Sequence, residues 1–201
     1  MFLLALSGVD GSGKSTFASA LVDQLRRDAP DLAVARLWLR YSPRRTAPGA
    51  LSSTVSAEHR GHPLKRSMLR LGLAPAWVRS NAALYRRQLQ WQLGAAHGLD
   101  IVVADRFVLD FLVDQLASGA LRVGDAAAVA ATLPGADTAV QLDVDDDELV
   151  RRLKPGDDAD RVLVQAGRYR QLAAALGIPA LDTRDPEAVR GTVERVLAVA
   201  R

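Results

Sequence analysis

Gly8-Val9-Asp10-Gly11-Ser12-Gly13-Lys14-Ser15 is the segment of this chain best equipped for chemistry. It fits G-x-x-x-x-G-K-[ST], a spacing that handles phosphate. The glycines let successive backbone N–H groups turn inward around phosphate oxygens, and a helix that follows aims its positive end at the same point. Lys14 adds a charge that can follow the β- and γ-phosphates of a nucleotide such as ATP, and Ser15 adds a hydroxyl for Mg2+. Asp105 and Arg106 follow the apolar run Ile101–Ala104. A carboxylate there can hold a magnesium shell or cap the next helix. An arginine there can clamp a phosphate with its planar fork or make a surface salt bridge. Arg151, Arg152 and Arg161 stand on either side of the polar segment Lys154–Asp160. They can stabilise a phosphoryl group in flight or serve as solvated helix ends.

Those side chains need a sheet edge and helix termini to hold them. Phe2–Ser7 predicts a strand that turns at Gly8, and Ser15–Arg27 a helix with Phe17, Leu21 and Leu25 on one face. Ala33–Leu39 is a second strand candidate, and 42–75, rich in Arg, Ser, Pro and Gly, takes no regular assignment. Val78–His97 predicts a long helix with Leu84, Leu89 and Leu93 on its apolar side. Ile101–Ala104 predicts a buried strand, Val108–Ser118 and Asp125–Leu133 two helices, and Thr138–Val144 a further strand. Asp145–Leu153 opens on three aspartates, which complement a helix dipole. Arg161–Leu176 and Pro186–Val199 read as the last helices, with a short strand at Ile178–Leu181 between them. Strands alternating with helices predict an α/β domain of five mainly parallel strands with helices on both faces, and the phosphate-loop motif between strand and helix makes that a P-loop NTPase fold. Residues 1–201 read as one domain. Ligands bind such sheets beyond the carboxyl ends of the strands, where these motifs fall.

Composition sets the outer limits. With 49% hydrophobic and 24% charged residues among 201, the chain can bury a full core. The lack of cysteine excludes a disulfide scaffold, a zinc ribbon and a thiol nucleophile together. His59, His62 and His97 show no metal-binding spacing. Of 26 basic residues only Lys14, Lys65 and Lys154 are lysines. Residues 1–100 carry 14 basic and 6 acidic side chains, whereas 101–201 carry 12 and 17. Between Leu32 and Gln90, eleven basic residues face one acid, Glu58. The field comprises Arg36, Arg40, Arg44, Arg45, Arg60, Arg66, Arg70, Arg79, Arg86 and Arg87 with Lys65, interleaved with Trp38, Tyr41, Trp77, Tyr85 and Trp91. It fits an anionic partner or a solvated basic face. The aromatics can stack on a base or build helix core. The apolar start Met1–Ser7 is too short for a signal segment, and no run reaches bilayer length. The expectation is a soluble cytoplasmic protein with no membrane partner.

Gly8–Thr16 resembles the P-loop of thymidylate kinases, in which an Asp follows the first glycine by two. Asp105-Arg106-Phe107 resembles that family's Asp-Arg-aromatic motif, and Gln115 falls where the family has a Gln ten residues beyond the Asp. Asp143-Val144-Asp145, the helix carrying Arg151 and Arg152, Asp160-Arg161, Tyr169 and Leu181-Asp182-Thr183 with Pro186 are similar to its later elements. The resemblance implies an acceptor-binding region over about 36–90, a short lid over about 151–161, ATP as donor and Mg2+ held through Ser15 and Asp105. It also implies Arg106 on the acceptor's phosphate and Asp10, otherwise a turn former, on the acceptor's sugar hydroxyl. Gly8, Gly11, Ser12, Gly13, Thr16 and Arg151 would complete the donor site, and Lys14, Asp10, Arg106, Arg152 and Arg161 the catalytic set. Thymidylate kinases are generally dimers, an interface the long helix could carry.

The acceptor half departs from the family. Its Arg-Glu-Pro motif is replaced by Trp38-Leu39-Arg40-Tyr41-Ser42-Pro43, and its base-reading Phe and Arg have no clean counterpart around Ala83 and Tyr85-Arg86-Arg87. Some members place an arginine in the P-loop where this chain has Gly11, so the charge must come from the lid. The leading expectation is phosphoryl transfer from ATP to a small phosphorylated acceptor, above all a nucleoside monophosphate. The alternatives are another acceptor (a nucleoside, a sugar phosphate or a phosphorylated polymer) and a regulator that binds nucleotide or nucleic acid without transfer.

Overall fold

β1 (Phe2–Ser7) is apolar at every position but the last, which is what a strand covered on both faces requires. The computed structural model describes residues 1–41, 68 and 71–200, and all six residues of β1 are buried in it. The other strands are β2 (Val34–Trp38), β3 (Ile101–Asp105), β4 (Thr138–Asp143) and β5 (Ala180–Asp182). Their order is β2-β3-β1-β4-β5, and every pairing is parallel. The expected five-stranded α/β architecture is therefore present, and its sheet is parallel throughout.

Alternation along the strands divides the core in two. Leu3 and Ala5 of β1 and Val102 and Ala104 of β3 pack with α2 (Ala74–Ala95), α3 (Val108–Ala117) and α6 (Ala159–Ala175). Phe2, Leu4, Leu6, Ile101 and Val103 face α1 (Lys14–Asp28) and α7 (Glu187–Ala200) on the other side. Helices thus cover both faces of the sheet. The register sets Leu6 opposite Asp105, and the Leu6 carbonyl accepts from Arg106 N at 2.9 Å. The carboxyl ends of β1 and β3 therefore finish level.

Two expectations on the helices need correction. α2 starts at Ala74, four residues before the expected start, with Pro75 in its first turn where the missing N–H costs nothing. Its buried stripe is Val78, Asn81, Ala82, Tyr85 and Leu89, while Leu84 is 53% exposed. Tyr85 wins the core position because its hydroxyl finds a partner, donating to the Leu39 carbonyl at 2.7 Å. Its ring stacks on Phe111 at 5.1 Å, and Tyr41 packs edge-on against both. The helix expected over Asp125–Leu133 is only α4 (Ala126–Ala130), preceded by a single 3-10 turn at Val123–Asp125.

α5 (Asp146–Arg151) is capped by Asp145, whose carboxylate accepts from Glu148 N at 2.8 Å. Asp158 caps α6 in the same way, through Arg161 N at 3.0 Å. Trp38 and Trp91 are exposed rather than core, and Tyr41 and Trp77 lie partly buried. Arg44, Arg45, Glu58, His59, Arg60, His62, Lys65, Arg66 and Arg70 lie outside the described residues. Among the described residues no helix is long and apolar enough to cross a membrane.

Candidate functional site

The chain leaves β1 at Ser7 and re-enters helix at Lys14, so the loop between must turn within six residues. Gly8 passes so close to β4 that a Cβ there would lie 2.4 Å from the Leu142 carbonyl oxygen. Gly13, the N-cap of α1, is left-handed with φ 86°. Gly8→Ala is expected to lower stability by about 1–3 kcal/mol, because backbone has to move. Gly167→Ala, in open space on α6, should lose nothing; chemical denaturation of both variants checks this pair.

The loop closes over Lys14, whose side chain is 6% exposed. Nζ donates to the Val9 carbonyl at 2.6 Å and lies 3.9 Å from Asp10 Oδ1. Burial, and then the neighbouring Arg106, push the ammonium down to about 8, against the pull of Asp110, Asp10 and Asp105. A cation this desolvated gains from any anion that reaches it. Ser12 Oγ, in the same loop, is buried with no hydrogen-bond partner.

Ser15, in the first turn of α1, donates from Oγ to Asp105 Oδ2 at 3.3 Å. A hydroxyl and a carboxylate side by side at a phosphate loop are hard oxygen donors of the kind magnesium takes in ones and twos. Among the described residues no group of three or more His, Cys, Asp or Glu could hold a metal. An ion here would therefore fill its shell with water and phosphate oxygens, as magnesium ordinarily does. Ser15 and Asp105 fit that role. Asp105 also carries an ion pair with Arg36 of β2.

Arg106 sits on the next residue with φ 71°, a left-handed conformation that costs a non-glycine residue about 1 kcal/mol. Its guanidinium bridges Asp10 of the P-loop and Asp110 of α3, the latter at 3.3 Å. Asp110 accepts in turn from Phe107 N at 3.0 Å and from the Tyr169 hydroxyl of α6 at 2.7 Å. Burial lowers the guanidinium's affinity for its proton, but Asp110 and Asp10 more than reverse that. Partial desolvation in the loop would raise the Asp10 carboxyl, which stays 70% exposed; Arg106, Lys14 and Arg40 together hold it below its ordinary value.

On the opposite side Arg152, which follows α5, donates to Glu148 at 2.5 Å, to the Gly11 carbonyl at 3.4 Å and to Thr183 Oγ1 at 3.5 Å. Thr183 donates to the Ser12 carbonyl at 2.9 Å. Arg152 and Thr183 thus lean on the P-loop from beyond β5. Arg151 does not join them: it is 76% exposed and pairs with Glu148, the carboxylate that Arg152 also holds. Arg161 is exposed in the first turn of α6. Gln115 is buried in α3, its side-chain oxygen without a hydrogen-bond partner.

The structure therefore gathers Gly8, Asp10, Gly11, Ser12, Gly13, Lys14, Ser15, Asp105, Arg106 and Arg152, whereas Arg151 and Arg161 are exposed. Thr16 is exposed on α1. Arg36 and Asp110 have roles that sequence reasoning missed. The signal for Asp110 was its i,i+4 spacing from Arg106 at a helix start. For Arg36 it was strand alternation from buried Val34, which turns Arg36 toward α1.

No family model and no curated protein match the chain. Among solved structures it is similar to the thymidylate kinase from Ehrlichia chaffeensis, with a TM-score of 0.48 and 16% identity over all of this chain and 98% of that one.

Proposed function

We propose that this chain is a kinase that moves the γ-phosphoryl group of ATP onto a small phosphorylated acceptor, a nucleoside monophosphate first among them. One observation carries the reading: arginines flank the phosphate loop from two sides, Arg106 through Asp10 and Arg152 through Gly11 and Thr183. A loop that only retained a nucleotide would need neither. Phosphoryl transfer needs both, because charge on donor and acceptor must be neutralised while they are brought into line.

Lys14 and the loop amides orient the β- and γ-phosphates, and Arg152 screens the donor side. Arg106 turns its fork to the acceptor's phosphate, and exposed Asp10 offers a carboxylate to an acceptor hydroxyl. Ser15 and Asp105 would hold magnesium, which when bound neutralises phosphate charge. An acceptor phosphate oxygen attacks the γ-phosphorus and ADP leaves, without a covalent enzyme intermediate. The resemblance of the P-loop and of Asp105-Arg106-Phe107 to thymidylate kinases supports this reading. The rewritten segment after β2 leaves the base open.

Radiolabelled ATP offered with magnesium and a panel of nucleoside monophosphates, nucleosides and sugar phosphates tests it. Label is expected in a nucleoside diphosphate. Transfer to nothing on the panel, with steeply salt-dependent binding to DNA or RNA, would replace the kinase reading with that of a regulator.

A further inference from the structure

We propose that Arg36 is a resident counter-cation for Asp105 that a divalent metal must displace, and that it sets how strongly the site binds metal; this rests on the kinase reading above. Arg36 reaches from edge strand β2 onto α1, where Nη1 donates to Ser19 Oγ at 3.0 Å and to the Ser15 carbonyl at 3.3 Å. Its Nη2 pairs with Asp105 Oδ2. That is the same oxygen that accepts from Ser15 Oγ. One carboxylate oxygen therefore serves both the guanidinium and the hydroxyl that would share a metal's surroundings.

The Asp105 side chain is 3% exposed, and a carboxylate that dry needs a cation beside it. A guanidinium cannot vacate the oxygen by losing its proton, so it leaves only by moving. Room exists, because the Arg36 side chain is 32% exposed on its solvent side. Until it moves, an arriving ion meets a like charge on its own ligand. The nucleotide-free site is thereby neutral without metal, and metal binding is weakened by the exchange.

The test titrates Mn2+ into the full chain with a non-hydrolysable ATP analogue, reading free Mn2+ by electron paramagnetic resonance. Wild type, R36Q, D105N and the R36Q/D105N double variant are compared. R36Q should bind Mn2+ about tenfold more tightly, since removing one unit charge at contact distance in a partly solvated site is worth that much. The gain should vanish in the D105N background. Without metal R36Q should melt below wild type, and Mn2+ should raise its melting temperature more than that of wild type. R36K, which keeps the charge but cannot fork to Ser19 and Asp105 together, should bind Mn2+ with intermediate affinity and covers the case of an unfolded R36Q. Unchanged or weaker Mn2+ binding in R36Q, or a gain that persists in D105N, overturns the role of Arg36 while analogue binding stands. A wild-type protein that does not bind the analogue at all overturns the kinase reading and this proposal with it.

Discussion

Lys14→Met is expected to abolish the proposed phosphoryl transfer and yet to raise the stability of the nucleotide-free protein at pH 7. The two effects share one cause. The ammonium is buried, and its affinity for a proton falls from 10.5 to about 8 because burial and Arg106 outweigh the nearby carboxylates. At pH 7 Lys14 is charged in folded and unfolded chain alike, and keeping it charged in the fold costs roughly 3 kcal/mol. A lysine with a depressed folded value destabilises fully below about pH 8. That cost fades as pH rises toward 10.5, where the unfolded chain loses its proton too. The advantage of Lys14→Met in chemical denaturation should accordingly be largest below pH 8 and disappear near the upper limit. Saturating ATP should reverse the ranking, because phosphate completes the charge in wild type and has no cation to meet in the variant. Turnover should fall by at least about 10³-fold, the scale of losing a phosphate-stabilising charge in a closed site. Activity within tenfold of wild type would remove Lys14 from the mechanism, and with it the reading of the loop.

The loop was legible because its geometry is encoded in backbone. Gly8 and Gly13 are required by a close approach and a left-handed φ, constraints that only glycine meets, so spacing alone predicts geometry. The strands were legible for a similar reason, since Phe2–Leu6 and Ile101–Ala104 are apolar runs buried on both faces. Choices between adjacent residues were not. Arg151 and Arg152 differ by one step of about 100° around the helix axis, and sequence cannot say which side meets Gly11. Leu84 and Tyr85 differ by the same step, and hydrophobicity favours the wrong one. The tyrosine is buried because its hydroxyl reaches Leu39, a contact across 46 residues that no local pattern contains. Arg36 was lost among the arginines of the first half for the same reason: its partner lies 69 residues away.

Long-range register assembles the charged group here more than motif does. Asp105 pairs in register with Leu6 on one side and Trp38 on the other, and that alignment carries it to the level of Ser15. Asp10, Lys14 and Arg106 then form one charged group across the gap between β1 and β3, with Arg40 adding to the field on Asp10.

Arg106→Ala should remove acceptor turnover while sparing donor binding. The side chain is held by carboxylates on two elements, Asp10 in the loop and Asp110 in α3, with Tyr169 of α6 fixing Asp110 from behind. That brace holds both terminal nitrogens of a planar fork beside the loop, on a left-handed backbone. The specificity constant for the acceptor should fall about 10³-fold with the KM for ATP within a few-fold, and Arg106→Lys should recover little, because one ammonium cannot fork. Stability separates this role from a merely structural one. Arg106→Ala leaves the Asp110 carboxylate buried without its cation and should cost about 3–5 kcal/mol. Adding Asp110→Asn, which needs no counter-charge, should restore most of that stability and none of the turnover. A double variant that regains activity along with its fold would make Arg106 a strut rather than a phosphate clamp.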